Sequence, residues 1–354
     1  MSLPAVLAFP GDLSLPTGGY AYDREVLAHL PAHGVAISPL PLPSGFPFPS
    51  ASEVTQALAQ LDGAAQAGMV LVDGLALGAL PANGLRPLQR SLVALIHHPL
   101  ALEAGLSMQQ QAGLAATERA ALACCRQVVA TSPQTGRTLV RDYGVRPEIL
   151  TIAEPGTAPA QRAPADGIPP RMLAVGTVIP RKGYDVLVRA LAPLAALDWT
   201  LTVIGSLDID PATAAALRAQ ITSAGLDSRI TLSGAATADA LSAAYQASDL
   251  FVHPALFEGY GMALAEAMRR GLPIVCTTGG AVNDTVPDTA GVKVPPGDAP
   301  ALSAALRLLI TDAGARRATA DGAFAAGTRL PDWDETARRI AAALRAAQTQ
   351  DIHA

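Results

Sequence analysis

The sequence predicts an α/β protein built from two doubly wound parallel-sheet domains. Three observations carry that prediction. Short apolar runs alternate with longer helical patterns along the 354 residues, as strand–helix–strand units require. The alternation runs twice, with a proline-rich stretch from Ala158 to Arg171 between the two series. Half of the residues are apolar and 16% are charged, so the chain can fill two cores of ordinary size.

The elements follow in order. In the first series the apolar runs Ala5–Phe9, Val35–Ser38, Met69–Val72, Leu92–Ile96, Val128–Thr131 and Ile149–Ile152 predict strands. The stretch Ala158–Arg171 reads as a linker, because proline removes a backbone donor and interrupts regular structure. In the second series strands are predicted at Met172–Val175, Thr200–Ile204, Ile230–Leu232, Leu250–His253, Pro273–Cys276 and Val292–Val294. Helical patterns such as Tyr184–Ala195 and Pro211–Ala224 lie between them, and the tail from Asp332 to Ala347 reads as a long final helix. Doubly wound sheets bind ligands at the carboxyl ends of their strands. The cleft between the two domains is therefore the expected site.

Composition excludes several function classes. The net charge is −5 and aromatics make up 4% of the chain, which argues against polyanion and nucleic-acid binding. Cys124, Cys125 and Cys276 are the only cysteines; they lack zinc spacing and imply a reduced, cytoplasmic chain. No signal peptide is read in Met1–Pro4, and the apolar stretch Ala67–Leu80 is too short to span a bilayer and carries Asp73. Among 25 basic residues only Lys182 and Lys293 are lysines, so a lysine against that bias draws notice. No strand leads into Gly-x-Gly-x-x-Gly with an acid about twenty residues on, which disfavours a nicotinamide oxidoreductase.

Four motifs carry candidate chemistry. Glu258 and Glu266 stand eight positions apart across a turn containing Gly259 and Gly261, between an apolar strand and a helical stretch. Glycine lets backbone approach a ligand, and the first amides of a helix favour an anion. The two carboxylates would hold separate parts of an extended ligand; a surface helix with incidental acids is the plain alternative. Arg181-Lys182-Gly183 follows a strand and can neutralise a departing diphosphate, or be a solvated basic loop. Thr17-Gly18-Gly19-Tyr20 is read as a turn before a helix at Tyr22–Leu30. His97-His98-Pro99 ends a strand, where an imidazole can meet a sugar hydroxyl or move a proton, or simply pack. No companion ligand cluster is read beside it, and no Asp-x-Asp pair is read as a metal motif, so no metal is expected.

Residues 253–280, with Glu258-Gly259-Tyr260-Gly261-Met262, Glu266-Ala267-Met268, Gly271-Leu272-Pro273 and Thr278-Gly279-Gly280, resemble the Glu-x7-Glu signature of glycosyltransferase family 4, the retaining group 1 enzymes of the GT-B fold. Weaker echoes extend over nearly the whole chain. The resemblance implies an N-terminal acceptor domain over 1–160, a nucleotide-sugar domain over 161–333, and a helix near 334–350 returning to the first. It implies a hexosyltransferase that moves sugar from a UDP-, GDP- or similar nucleoside-diphosphate sugar to an acceptor hydroxyl by a metal-independent front-face reaction, with no cofactor beyond the donor.

Glu258 would contact donor-sugar hydroxyls, and Glu266 the ribose. The amides of Gly261, Met262 and Ala263 would meet the diphosphate, as would Arg181 and Lys182. His97 would contact the sugar, with His98 the alternative. Glu258, Lys182, Arg181 and His97 form the expected catalytic set. Gly18, Gly19, His98, Thr177, Gly259, Tyr260, Gly261, Met262, Ala263 and Glu266 form the donor-binding set. The family commonly has an arginine where this chain has Thr177, and Arg181 is expected to supply that charge. Trp333 is expected to serve packing. Residues 1–160 hold eight arginines, no lysine and eleven acids, a balance of −3, which favours a soluble acceptor over a lipid-linked one. The expected location is cytoplasmic, with a peripheral place at the inner membrane as the variant. A sugar-nucleotide hydrolase or epimerase, or a non-catalytic nucleotide-binding module, is the alternative; oligomeric state is left open.

Overall fold

The computed structural model describes residues 2–103 and 105–349. It divides into two compact units, 1–156 with 331–354, and 157–330.

The first unit holds a six-stranded sheet. Its strands are β1 (Leu3–Pro10), β2 (Val35–Leu42), β3 (Met69–Asp73), β4 (Leu92–Ile96), β5 (Gln127–Ala130) and β6 (Leu150–Ile152). They lie in the order β2-β1-β3-β4-β5-β6, all parallel. β3 and β4 are buried throughout, as strands covered on both faces must be, and this explains their unbroken apolar runs. β2 carries Pro39 and Pro41, tolerated because it is an edge strand.

The second unit holds β7 (Arg171–Val175), β8 (Thr200–Ile204), β9 (Ile230–Gly234), β10 (Leu250–His253), β11 (Ile274–Thr277) and β12 (Gly291–Val294). Their order is β12-β11-β10-β7-β8-β9, again parallel. All twelve predicted strands are present, several longer by a few residues. Each sheet has a point where the winding direction reverses: between β1 and β3 in the first, and between β7 and β10 in the second. Such a reversal opens a crevice at the carboxyl ends of the strands.

Three features depart from the sequence reading. Helix Gly18–His29 begins four residues before the expected Tyr22, because Thr17 caps it by accepting from the Tyr20 amide at 3.3 Å. Gly18 and Gly19 are therefore the first helical residues rather than a preceding turn. The expected linker is not a free tether. Ala163 donates its amide to Arg270 O at 2.8 Å, and the amides of Gly167 and Arg171 donate to the carboxylate of buried Asp249 at 2.8 Å each. The second unit thus starts at Thr157. The last helix, Trp333–Thr349, belongs to the first unit. Trp333 meets Tyr22 edge-on at 5.5 Å, Thr336 Oγ1 donates to Glu154 O at 2.7 Å, and Arg339 donates to Ile152 O at 3.1 Å. Its expected end at residue 350 lies outside the described residues. No helix among the described residues is long and apolar enough to cross a membrane.

Candidate active site

In the second unit, the loops after β7 and β10 meet at the reversal point. Gly183 has φ +63°, and a Cβ there would lie 2.3 Å from Pro254 O, so only glycine lets the two loops touch. The Leu256 amide donates to Arg181 O at 2.8 Å, and Arg181 Nη1 donates to Phe257 O at 2.8 Å. These bonds converge three basic side chains on one carboxylate. Lys182 Nζ lies 2.5 Å from Glu258 Oε1, His253 Nε2 lies 3.0 Å from the same oxygen, and Arg181 Nη1 lies 3.5 Å from Oε2. Glu258 is only 7% exposed. Burial would raise its pKa, but Lys182, then His253 and Arg181, hold it well below the ordinary carboxylate range. His253 is kept below its ordinary value, first by burial and then, against the pull of Glu258, by the charges of Lys182 and Arg181.

A third loop supports this cluster from behind. Ala281 donates its amide to Glu258 O at 2.8 Å, and Glu258 donates its own to Gly279 O at 3.3 Å. A Cβ on Gly280 would fall 2.2 Å from Glu258 O. The Gly279-Gly280 pair is therefore explained by close backbone approach.

Four residues past Glu258, helix Met262–Arg269 begins, with Gly261 at φ +94° as its N-cap and no side-chain cap. The first amides of such a helix are a ready anion site. Gly259 and Tyr260 form the turn into it, Tyr260 buried and Met262 and Ala263 half-buried. Glu266 lies in this helix, away from the basic cluster. Burial raises its pKa, against a Tyr245 hydrogen bond and the charge of Arg270. The two glutamates thus occupy distinct environments on either side of a helix start. Thr177 sits in the loop after β7, where its carbonyl accepts from the Ile179 amide at 3.0 Å; the added charge near Glu258 comes from Arg181.

In the first unit, the reversal point gathers Gly18, Gly19 and His97. A Cβ on Gly19 would lie 3.4 Å from the His97 ring, whereas one on Gly18 would meet nothing within 4 Å. His97 packs edge-on against Tyr22 at 5.2 Å. His98 turns to Glu103 instead, Nε2 to Oε1 at 3.1 Å. The neighbouring chain is held by Glu118, fully buried, whose Oε2 accepts from the Leu100 amide at 3.0 Å.

Three residues at these two places were not singled out by the sequence reading: Asp23, Asp73 and His253. Asp73 and His253 each end an apolar strand at its carboxyl end, a signal open to inspection. Asp23 lies within a helix, and only its burial marks it. Asp23, Asp73 and His97 place donor atoms within 4.8 Å of one another, a companion cluster that the sequence reading did not find beside His97.

Comparison with known proteins follows the same lines. Residues 169–312 match the family described as glycosyl transferases group 1. A D-inositol 3-phosphate glycosyltransferase of Salinispora tropica is 30% identical over 281 residues, covering 70% of this chain and 58% of that protein. Mannosylfructose-phosphate synthase of Agrobacterium fabrum is 28% identical over 174 residues, covering 44% of this chain and 38% of that protein. The chain spans about half the length of the curated relatives it matches. Among solved structures, sucrose-phosphate synthase from Thermosynechococcus elongatus superposes with a TM-score of 0.79 at 21% identity, over 97% of this chain and 98% of that one. Anabaena HepE in complex with UDP and glucose superposes with a TM-score of 0.75 at 20% identity, over 96% and 99%. With its two parallel-sheet units and the Glu258 to Glu266 segment inside the matched region, the chain has the GT-B fold, and its residues 169–312 belong to the group 1 glycosyltransferase family.

Proposed function

We propose that this chain is a retaining glycosyltransferase. It takes a hexose from a nucleoside-diphosphate sugar bound by the second unit and gives it to a hydroxyl of an acceptor bound by the first. The observation that carries this reading is the Arg181–Lys182–Glu258 cluster beside the uncapped start of helix Met262–Arg269. Glu258, ionised and fixed by three partners, accepts hydrogen bonds from donor-sugar hydroxyls. The amides of Gly261, Met262 and Ala263 take the diphosphate, and Glu266 takes the ribose hydroxyls.

The bond from the anomeric carbon to the diphosphate oxygen breaks. The departing oxygen accepts the proton of the acceptor hydroxyl, and the new bond forms on the same face. Arg181, Lys182 and the helix amides stabilise the charge that grows on the leaving group, and no metal is assigned to that task. The UDP and glucose held by the Anabaena relative make UDP-glucose the first donor to try. The phosphorylated sugar and polyol names of other relatives, with the −3 balance of residues 1–160, favour a soluble acceptor.

The test is titration with UDP-, GDP- and ADP-sugars, followed by transfer and hydrolysis assays before and after exhaustive chelation. Tight binding of one donor class with turnover lost in Glu258→Ala and Lys182→Ala supports the reading. Donor turnover that no acceptor accelerates would make the protein a hydrolase or epimerase. Binding without any turnover would make it a nucleotide-binding module. Loss of transfer on chelation would overturn metal independence at the leaving group.

A further inference from the structure

The cluster behind His97 has a geometry that calls for a role. Helix Gly18–His29 contributes Asp23, fully buried, and the end of β3 contributes Asp73, 3% exposed. His97 Nε2 lies 3.3 Å from Asp23 Oδ1 and 3.9 Å from Asp73 Oδ2. Asp73 spends its other oxygen on the Leu75 amide at 2.7 Å, while Asp23 Oδ2 is buried without a hydrogen-bond partner. The ring and the backbone of His97 are held from other sides as well. Tyr22 packs edge-on against it, with its hydroxyl donating to Ala153 O at 2.9 Å. The hydroxyls of Thr131 and Thr135 donate to the His97 carbonyl at 3.2 and 3.3 Å. Two buried carboxylates therefore face one imidazole nitrogen.

We propose that Asp23 and Asp73 are positioning residues that turn Nε2 of His97 inward and favour the imidazolium form of the ring, so that Nδ1 donates a hydrogen bond to an oxygen of the bound sugar or phosphate. This deepens the functional reading above and rests on it for the identity of the ligand. A neutral imidazole at the same place would present a donor or an acceptor according to tautomer. A clamped imidazolium presents only a donor, and it adds a positive charge where the first unit is otherwise acidic. The titration behaviour fits. Burial would lower the His97 pKa, but the hydrogen bond and charge of Asp23, then the charge of Asp73, hold it above the ordinary value. Asp73, raised to about 7 by burial and then by Asp23, titrates near neutrality beside the ring, so its proton and that of His97 are linked. Tyr20 and its hydroxyl feel the same two aspartates.

The experiment follows the His97 ring protons by NMR across pH 5 to 9, the resonance being assigned by its loss in His97→Gln. Wild type should titrate above about 6.5, and Asp23→Asn should bring the midpoint down by about one unit or more. Asp23→Glu should restore part of the shift, and Asp73→Asn should change its shape, because the coupled proton is gone. Circular dichroism confirms that each variant folds. Alongside, the alkaline limb of kcat/KM with the donor found above should move with the NMR midpoint, which a purely structural role would not produce. A wild-type midpoint at or below the ordinary value overturns the proposal, as does an unmoved midpoint in Asp23→Asn. A wild-type resonance that shifts on chelation and returns with added Zn2+ also overturns it, because the three donors would then hold a cation. The ring titration needs no substrate, so an imidazolium found in a protein that turns over no donor would sink the functional reading alone.

Discussion

The pair Lys182–Glu258 gives the sharpest energetic prediction. Its two side chains are 15% and 9% exposed and 2.5 Å apart. Breaking a buried ion pair by removing one partner costs about 3–5 kcal/mol, because the other charge stays desolvated. Here both singles belong at the lower end. In Lys182→Met, Glu258 keeps His253 at 3.0 Å and Arg181 at 3.5 Å. In Glu258→Gln, solvent reaches Arg181 and Lys182, each 15% exposed. About 3 kcal/mol is expected for each.

The double variant Lys182→Met/Glu258→Gln leaves neither member of that pair, so it should also lose about 3 kcal/mol rather than twice that, a coupling of about 3 kcal/mol. Two units unfolding together would blur the measurement, and the tryptophans solve this. The chain has two: Trp199, 1% exposed in the second unit, and Trp333 in the first. In a Trp333→Phe background, urea unfolding followed by fluorescence reports Trp199 and the unit that carries the pair. Single losses that add to within about 0.5 kcal/mol would refute the pairing and the reasoning built on it.

Further outcomes follow from other residues. Glu118 is raised from 4.5 to about 8 by burial, so the folded state prefers its neutral form. Its contribution is full below about pH 4.5, the unfolded value, and is lost as pH rises through the folded value. Glu118→Gln should flatten the fall in thermal stability between about pH 5 and 8; an unchanged slope would contradict the assignment. Gly18→Ala places a methyl in open space within a helix, so stability should hold or rise by up to about 1 kcal/mol, while donor or acceptor affinity falls if a ligand lies over that turn; calorimetric titration reads both. All three cysteines are buried and free, with burial raising the thiol pKa of each. A thiol reagent should therefore label none in the folded protein and three in urea.

Much of this was open to sequence reading because the physics involved is local. Parallel strands buried on both faces must be apolar throughout, so β3, β4, β10 and β11 were visible as uninterrupted runs. The glycines at 183, 261 and 280 mark positive backbone angles that few other residues tolerate, and the segment from Glu258 to Glu266 shows its turn and helix in nine residues, shortly after an apolar strand. The start of helix Gly18–His29 differs from the sequence expectation because two glycines read as a turn, whereas Thr17 acts as the N-cap and starts the helix there. The linker was misread for a related reason. Prolines report that regular structure stops, and they do not report whether the irregular chain packs; buried Asp249 decides that by binding two of its amides.

What the sequence determined by itself was the class of fold, the family that its second half resembles, and the residue types gathered at the Glu258 to Glu266 segment. Those are written in periodicity and in short motifs. What only the tertiary structure decided was which charges meet. Lys182 and Glu258 lie 76 positions apart, Asp23 and His97 lie 74 apart, and neither pair has any spacing that marks it. They meet because each sheet reverses its winding at one point, bringing the ends of β7 and β10 together in one unit and those of β1, β3 and β4 in the other. Burial then sets the strength of each contact, since a carboxylate 76 residues from a lysine matters only once both have left water.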